Sequence, residues 1–181
     1  MRRAGRLALG ALLLLALGAA GPAPPEPEGY RMEAFRAPTP ATLQGATVVT
    51  TAEAERLWRA GAILVDVLPQ PRAPKDLAPG TIFRLPPRDS LPGATWLVDV
   101  GYGALAPQTE AYFRRGLDRA RSERPDQPIV IFCERDCWMS WNAAKRAVAW
   151  GYKGIHWYPD GTTGWREAGL PLERATPAPE E

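Results

Sequence analysis

Two residues of this sequence, Cys133 and Cys137, have the most distinctive chemistry, and they are its only cysteines. They lie in the stretch IFCERDCWMSW, where three charged residues separate them and two tryptophans come after the second. A pair at this spacing has four candidate uses: a structural disulfide, part of a metal site, a redox pair, or one nucleophile with a neighbour. Which use applies depends on the elements that position the pair.

A metal site and a structural staple both fit the residues poorly. Zinc needs three or four ligands, whereas this chain offers two cysteines and a single histidine, His156, on a separate predicted strand. We therefore expect no metal, and we interpret His156 as a packed or surface residue. A disulfide between Cys133 and Cys137 would close a very small loop and remove little entropy from the unfolded chain. Cys137 is then a resolving thiol, a redox partner, or a small buried residue without chemistry.

The segments around the cysteines alternate between strand and helix patterns. Three apolar, β-branched runs predict buried strands: 62–67, 128–132 and 155–159. Four segments have helical spacing: 51–60, 107–124, 138–150 and 163–169. This alternation predicts an α/β fold with an open parallel sheet of about five strands and helices on both faces. Between them, 81–85 is a candidate edge strand and 96–100 a strand or packed loop.

Cys133 ends one of these buried strands, directly before a predicted helix. In an open α/β sheet, ligands bind where the carboxyl ends of strands meet the helices that come next. Loop N–H groups and the helix dipole are expected to face the sulfur and lower the pKa of its thiol. We therefore predict that Cys133 is the reactive thiol and Cys137 the second catalytic residue. The same cradle would hold thiosulfate, sulfite or the terminal sulfur of a persulfide.

The other predicted site residues surround this pair. The loop and the start of the helix supply the residues expected to bind a substrate or an anion: Glu134, Arg135, Asp136, Trp138, Met139 and Ser140. Trp138 and Trp141 share one helical face, which is either packed in the core or forms an aromatic wall beside the thiol. Asp66 ends another strand and is expected to support the site by bonding loop amides.

From about Thr50 to Glu173 the sequence resembles the rhodanese superfamily. The likeness rests on AILVDV with Asp66, on PIVIFC ending in Cys133, on the helix NAAKRAVAWGY, and on the closing IHWYPDGTTGWREAGLPLE. It implies a rhodanese-like domain over 46–174 and a persulfide on the active cysteine, with no other cofactor. The stretch CERDCWMSWNAAKRA is further similar to the exported PQQ-dependent catabolism-associated CxxCW motif proteins. That group is associated with periplasmic alcohol oxidation by quinoprotein dehydrogenases.

The cysteine loop departs from the CxxGxRS pattern that active rhodaneses commonly present. Asp136 stands in the place of the glycine, Trp138 in the place of the arginine, and the serine comes one position late, as Ser140. Because Asp136 adds negative charge and Trp138 removes a cation, thiosulfate is disfavoured as a substrate. Arg135 either compensates for that loss or is an ordinary solvated side chain.

The two ends of the chain differ from the domain in composition. Residues 1–20 predict a secretory signal, with the basic start MRRAGR and an apolar run of about fourteen residues, too short to span a bilayer. We expect cleavage, a periplasmic location and no membrane segment afterwards. Residues 21–45 predict a proline-rich linker and 175–181 a disordered tail.

The charge of the chain argues against nucleic-acid binding. The sequence has 22 basic and 20 acidic residues, and removal of Arg2, Arg3 and Arg6 with the signal leaves 19 against 20. No long basic run remains that would bind a phosphate backbone.

Three functions fit these features. The first is thiol chemistry on a small sulfur-containing or thiol substrate, by sulfur transfer through a Cys133 persulfide or by dithiol redox with Cys137, serving periplasmic PQQ-dependent alcohol oxidation. The second is a non-catalytic binding module for a quinoprotein dehydrogenase, a cytochrome or the dehydrogenase's cofactor. The third is an adaptor stapled by a structural disulfide.

Overall fold

The computed structural model of the protein describes residues 22–78 and 80–180. The predicted secretory signal at 1–20 lies outside these residues. Within the described part of the chain, no helix is both long enough and apolar enough to cross a membrane.

Strands and helices alternate along the described residues. The strands are β1 (Thr47–Val48), β2 (Ile63–Asp66), β3 (Arg88–Ser90), β4 (Thr95–Trp96), β5 (Ile129–Phe132), β6 (Ile155–Tyr158) and β7 (Glu173–Ala175). The helices are α1 (Thr51–Arg59), α2 (Pro107–Glu123), α3 (Trp138–Ala149) and α4 (Gly161–Glu167).

Five of the strands form one parallel sheet in the order β1-β6-β5-β2-β4. This confirms the predicted α/β fold with an open parallel sheet of about five strands. β5 lies at the centre, and every residue of β5 and of its neighbour β2 is buried. The centre of the sheet is therefore fully enclosed, and β5 leads directly to Cys133.

The alternation of side chains along the strands separates two hydrophobic clusters, one on each face of the sheet. On one face, Ile129 and Ile131 of β5 pack in a cluster with buried residues of α2 and α3. On the other face, Val130 and Phe132 pack in a cluster with residues of α1 and α4. Helices on both faces, as predicted, result from this period of two.

The segment between β2 and β4 differs from the sequence-based expectation. Residues 81–85 form no strand; Ile82 and Leu85 are exposed there. The edge strand is instead β3, a few residues later, which pairs antiparallel with β7. The reason is that Arg88 and Ser90 of β3 bind the buried Asp66, whereas residues 81–85 have no such anchor. Of 96–100, only Trp96 belongs to a strand.

Residues 22–45, the described part of the predicted linker at 21–45, are largely extended and rich in proline, but they lie against the domain. We call them the N-terminal strap. Leu43 is buried in the same cluster as α3, and Phe35 and Ala37 pack against that cluster. These apolar side chains hold part of a proline-rich segment against the domain. In the predicted tail, the Ala178 N–H donates to Trp96 O at 2.8 Å, so this segment also lies on the domain.

Replacement of Ile131 by alanine tests the position of the central strand. Because Ile131 is fully buried against α2 and α3, Ile131→Ala should lower the free energy of unfolding by about 2–5 kcal/mol in urea denaturation. The control is Ile82→Ala, at a side chain that is 77% exposed, with an expected change within about 0.5 kcal/mol. Equal losses for the two variants would contradict this packing.

Candidate functional site

Cys133 is the residue directly after β5, and its backbone is held from two sides. Its carbonyl oxygen accepts hydrogen bonds from the Thr162 N–H at 3.0 Å and the Thr162 hydroxyl at 3.3 Å. The Arg88 guanidinium lies 3.5 Å from the same oxygen. Gly161, with a φ of +48°, packs so closely on the Cys133 carbonyl that a Cβ at this position would overlap it. The first turn of α4 therefore fixes the point at which β5 ends.

A disulfide joins Cys133 to Cys137, whose Cα atoms are 6.6 Å apart. We call residues 133–137 the cysteine loop. Asp136 has a φ of +54°, in the left-handed region that glycine favours, and this turn brings the chain back to Cys137, the N-cap of α3. Cys133 has no exposed surface and Cys137 is 2% exposed. The structure therefore holds the predicted catalytic pair together, oxidised and covered.

Two of the N–H groups expected to face the sulfur have other acceptors. The Trp138 N–H donates to Phe35 O of the strap at 2.9 Å, and the Arg135 N–H donates to the Thr163 hydroxyl at 3.3 Å. Two carbonyl oxygens, those of Glu134 and Cys137, lie 3.7 and 3.9 Å from the Cys133 sulfur. In this oxidised form the N–H groups of Arg135 and Trp138 are therefore engaged away from the sulfur.

Asp66 ends β2 and is fully buried. Its Oδ2 accepts from the Arg88 guanidinium at 2.7 and 2.8 Å and from the Ser90 hydroxyl at 2.6 Å, and its Oδ1 accepts from the Leu68 N–H at 3.0 Å. Burial raises the pKa of Asp66, and these donors oppose that rise. Asp66 thus bonds a loop amide, as predicted, and also an arginine that the sequence did not single out.

Arg88 links this buried carboxylate to the cysteine loop. Its side chain is 7% exposed, and its Nη1 lies 3.3 Å from Glu134 Oε1. Glu134 also pairs through Oε2 with Arg36 of the strap, at 3.1 Å. Glu134 therefore lies between two arginines.

Arg135 does not turn toward the cysteines. Its guanidinium binds Asp160 at 2.9 Å and Glu167 at 2.6 and 2.8 Å. The hydrogen bonds to Glu167 and Asp160 raise the pKa of Arg135. Arg135 thus ties the loop to α4, while Asp136, beside it, is exposed.

The predicted residues at the start of α3 are buried. The Ser140 hydroxyl donates to Cys137 O and accepts from the Trp157 indole, both at 3.0 Å. Trp138 and Trp141 pack edge to face at 5.4 Å, and the backbone of Met139 lies against Gly101. The two tryptophans form a packed face beneath the strap, which corresponds to the first of the two interpretations of this pair.

Sequence reasoning missed Arg88 and Arg36. Both lie in proline-rich segments without periodicity, and no pattern marks an arginine that will be buried. One signal was present for Arg88: a strand-ending aspartate in an apolar run needs a cationic partner when it is buried.

His156 lies on β6 with its Nδ1 3.1 Å from Gly154 O. In the residues that the structure describes, no group of three or more histidine, cysteine or acidic side chains is placed to hold a metal.

Substitution of Arg88 tests whether it neutralises Asp66. Because Arg88→Ala would leave a buried carboxylate without its cation, we expect the free energy of unfolding to fall by about 3–5 kcal/mol. The matched control is Arg174→Ala, which breaks the exposed pair of Arg174 with Asp89 and should cost at most about 1 kcal/mol. Urea denaturation measures both, and a small loss for Arg88→Ala would contradict the assigned role.

Comparison with known proteins identifies the family of this chain. A family model described as the rhodanese-like domain matches residues 50–168. One similar solved structure is the 30 kDa polysulfide-sulfur transferase homodimer from Wolinella succinogenes, with 20% sequence identity, coverage of 71% of this chain and 79% of that chain, and a TM-score of 0.44. Comparison with curated proteins found no match. Since the family match extends over more than half of the sequence, this chain belongs to the rhodanese-like domain family.

Proposed function

We propose that this protein is a thiol protein that transfers sulfur through a Cys133 persulfide and cycles between dithiol and disulfide with Cys137. The observation that supports the proposal most strongly is the disulfide itself, which joins the residue after the central strand to the N-cap of the next helix. Both cysteines lie at the edge of the sheet where α/β proteins bind ligands. Membership of the rhodanese-like family adds sulfur transfer as the general chemistry.

The reaction begins from the dithiol. The Cys133 thiolate attacks the outer sulfur of a donor persulfide. This sulfur is transferred to Cys133 as a persulfide, and the rest of the donor leaves as a thiol. An acceptor thiol then takes this outer sulfur. Alternatively, the Cys137 thiolate attacks the Cys133 sulfur, expels hydrosulfide and forms the disulfide. Two equivalents of an external thiol return the disulfide to the dithiol and are themselves oxidised to a disulfide.

The residues around the pair hold the loop for these steps. Arg88 connects the Cys133 carbonyl with Asp66, and Ser140 bonds the Cys137 carbonyl. The loop disfavours the dianion thiosulfate, since an exposed acidic residue, Asp136, stands in place of glycine and an uncharged one, Trp138, in place of arginine.

The wider setting belongs to the same proposal. The sequence of residues 1–20 supports export, and a disulfide suits an oxidising compartment such as the periplasm. The likeness of CERDCWMSWNAAKRA to the PQQ-associated CxxCW proteins supports a link to alcohol oxidation, with a quinoprotein dehydrogenase or a cytochrome as partner.

One observation favours a second candidate function. Both sulfur atoms are covered, and the first N–H of α3 is bonded to the strap. A non-catalytic binding module, acting on a quinoprotein dehydrogenase or its cofactor, requires no access to the sulfur. The two candidates differ in whether Cys133 ever accepts a sulfur atom.

Intact-mass measurements distinguish the two functions. The protein as isolated should be about 2 Da lighter than after reduction with dithiothreitol, because the disulfide lacks two hydrogens. After reduction and treatment with glutathione persulfide, Cys137→Ser should carry about 32 Da of added sulfur. The wild type should instead release sulfide and return to the disulfide.

The control is Cys133→Ser, which should acquire no added sulfur under the same conditions. If the reduced Cys137→Ser protein also remains unmodified, sulfur transfer is wrong and the binding module is favoured.

A further inference from the structure

The N-terminal strap is bonded to α3 along most of its length. Main-chain groups of the strap bind side chains of the helix at four places. The contacts are Pro27 O with Lys145 Nζ (3.1 Å), both main-chain groups of Arg31 with the Asn142 amide (2.9 Å each), Pro38 O with Trp138 Nε1 (3.1 Å) and Thr42 O with Trp141 Nε1 (3.1 Å). The Arg31 guanidinium also lies over the Trp138 ring, 5.1 Å from its centroid. The strap is therefore specifically seated.

At its centre the strap binds the cysteine loop itself. The Ala37 N–H donates to Asp136 O at 3.0 Å, and Phe35 O accepts from the Trp138 N–H at 2.9 Å. These two bonds flank Cys137 and pair it with Arg36 as a short antiparallel bridge. The ion pair of Arg36 with Glu134 holds the other end of the loop. Strap and disulfide thus constrain the same few residues.

The seated strap pairs with the backbone of Cys137, and both cysteines are buried in this arrangement. Thiol–disulfide exchange requires the attacking thiolate to approach a sulfur atom, and here both sulfurs are buried. Phe35 and Ala37 pack against the cluster that contains the two cysteines. The strap has no helix or sheet of its own, so the contacts described above with α3 and the cysteine loop are what keep it closed, and loss of some of them favours local opening.

We propose, building on the function proposed above, that the N-terminal strap is a gate whose closure is coupled to the disulfide. When Cys133 and Cys137 are bonded, the loop has the shape that Phe35 and Ala37 recognise, and the gate is closed. When the pair is reduced, the loop loses its covalent tie, the strap leaves more readily, and Cys133 is exposed to its substrate. Coupling is reciprocal, so a seated strap must stabilise the disulfide as much as the disulfide stabilises the seated strap.

Variants of the strap test one direction of this coupling. Ala37→Pro removes the N–H that binds Asp136, and Phe35→Ala removes the edge-to-face contact of Phe35 with Tyr102, 5.3 Å between centroids. In redox equilibrium with glutathione, each variant should raise the ratio of dithiol to disulfide by about fivefold or more. A factor of about five is the lower end of typical coupling between two sites. The control, Thr42→Ala, loses only a bond to Glu26 and should shift it less than about twofold.

The wild type tests the other direction. Reduction should speed hydrogen exchange at the Trp138 amide by about fivefold or more. It should speed cleavage by trypsin after Arg31 and Arg36 by a similar factor. Exchange at the Ile131 amide, in the central strand, reports whether the fold stays intact. None of these measurements uses a sulfur donor, so they succeed or fail independently of sulfur transfer.

Two outcomes would overturn the gate. One is an unchanged exchange rate at Trp138 on reduction. The other is a glutathione equilibrium that neither Phe35→Ala nor Ala37→Pro shifts beyond the Thr42→Ala control. If Ala37→Pro does not fold, Phe35→Ala and the exchange measurement on the wild type decide the question.

Discussion

The buried carboxylate of Asp66 is the constraint on which the rest of the site depends. A charge at the end of a buried strand must be neutralised, and Arg88 of β3 does this, with Ser90 of the same strand as a further donor. This contact fixes the position of β3, which contains Arg88. Because β3 pairs with β7, it also fixes the position of β7. The same guanidinium reaches Glu134 and the Cys133 carbonyl. The ion pair of Arg88 with Asp66 therefore connects β2, β3 and the cysteine loop.

The departures of the cysteine loop from the common rhodanese pattern have structural counterparts elsewhere in the chain. Trp138, in the place of an arginine, binds the strap through its indole N–H and its ring. Two arginines of the strap lie near the loop instead: Arg36 pairs with Glu134, and Arg31 lies over the Trp138 ring. Asp136, in the place of a glycine, keeps the left-handed backbone that the turn requires. The loop and the strap are thus best understood together.

Local patterns in the sequence were sufficient to predict the elements that position the cysteines. The apolar runs ending in Asp66 and Cys133 specify buried parallel strands, and the helical spacing after Cys137 specifies α3. The strap could not be predicted in this way, because many of its contacts are made by main-chain groups, and prolines suit a free linker and a docked segment equally. The role of Arg88 could not be predicted for a related reason: it is buried because it binds Asp66, 22 positions away, and not because of its neighbours in sequence.

The distances in sequence that the strap bridges determine the order in which the molecule can be assembled. Arg31 meets Asn142 across 111 positions and Pro38 meets Trp138 across 100, whereas the two cysteines are four positions apart. A chain made from its amino end carries a finished strap long before α3 exists to receive it. Contacts of such long range are also costly to close. The strap therefore cannot dock until α3 has been made, whereas the cysteine loop closes over only four positions and can form without it.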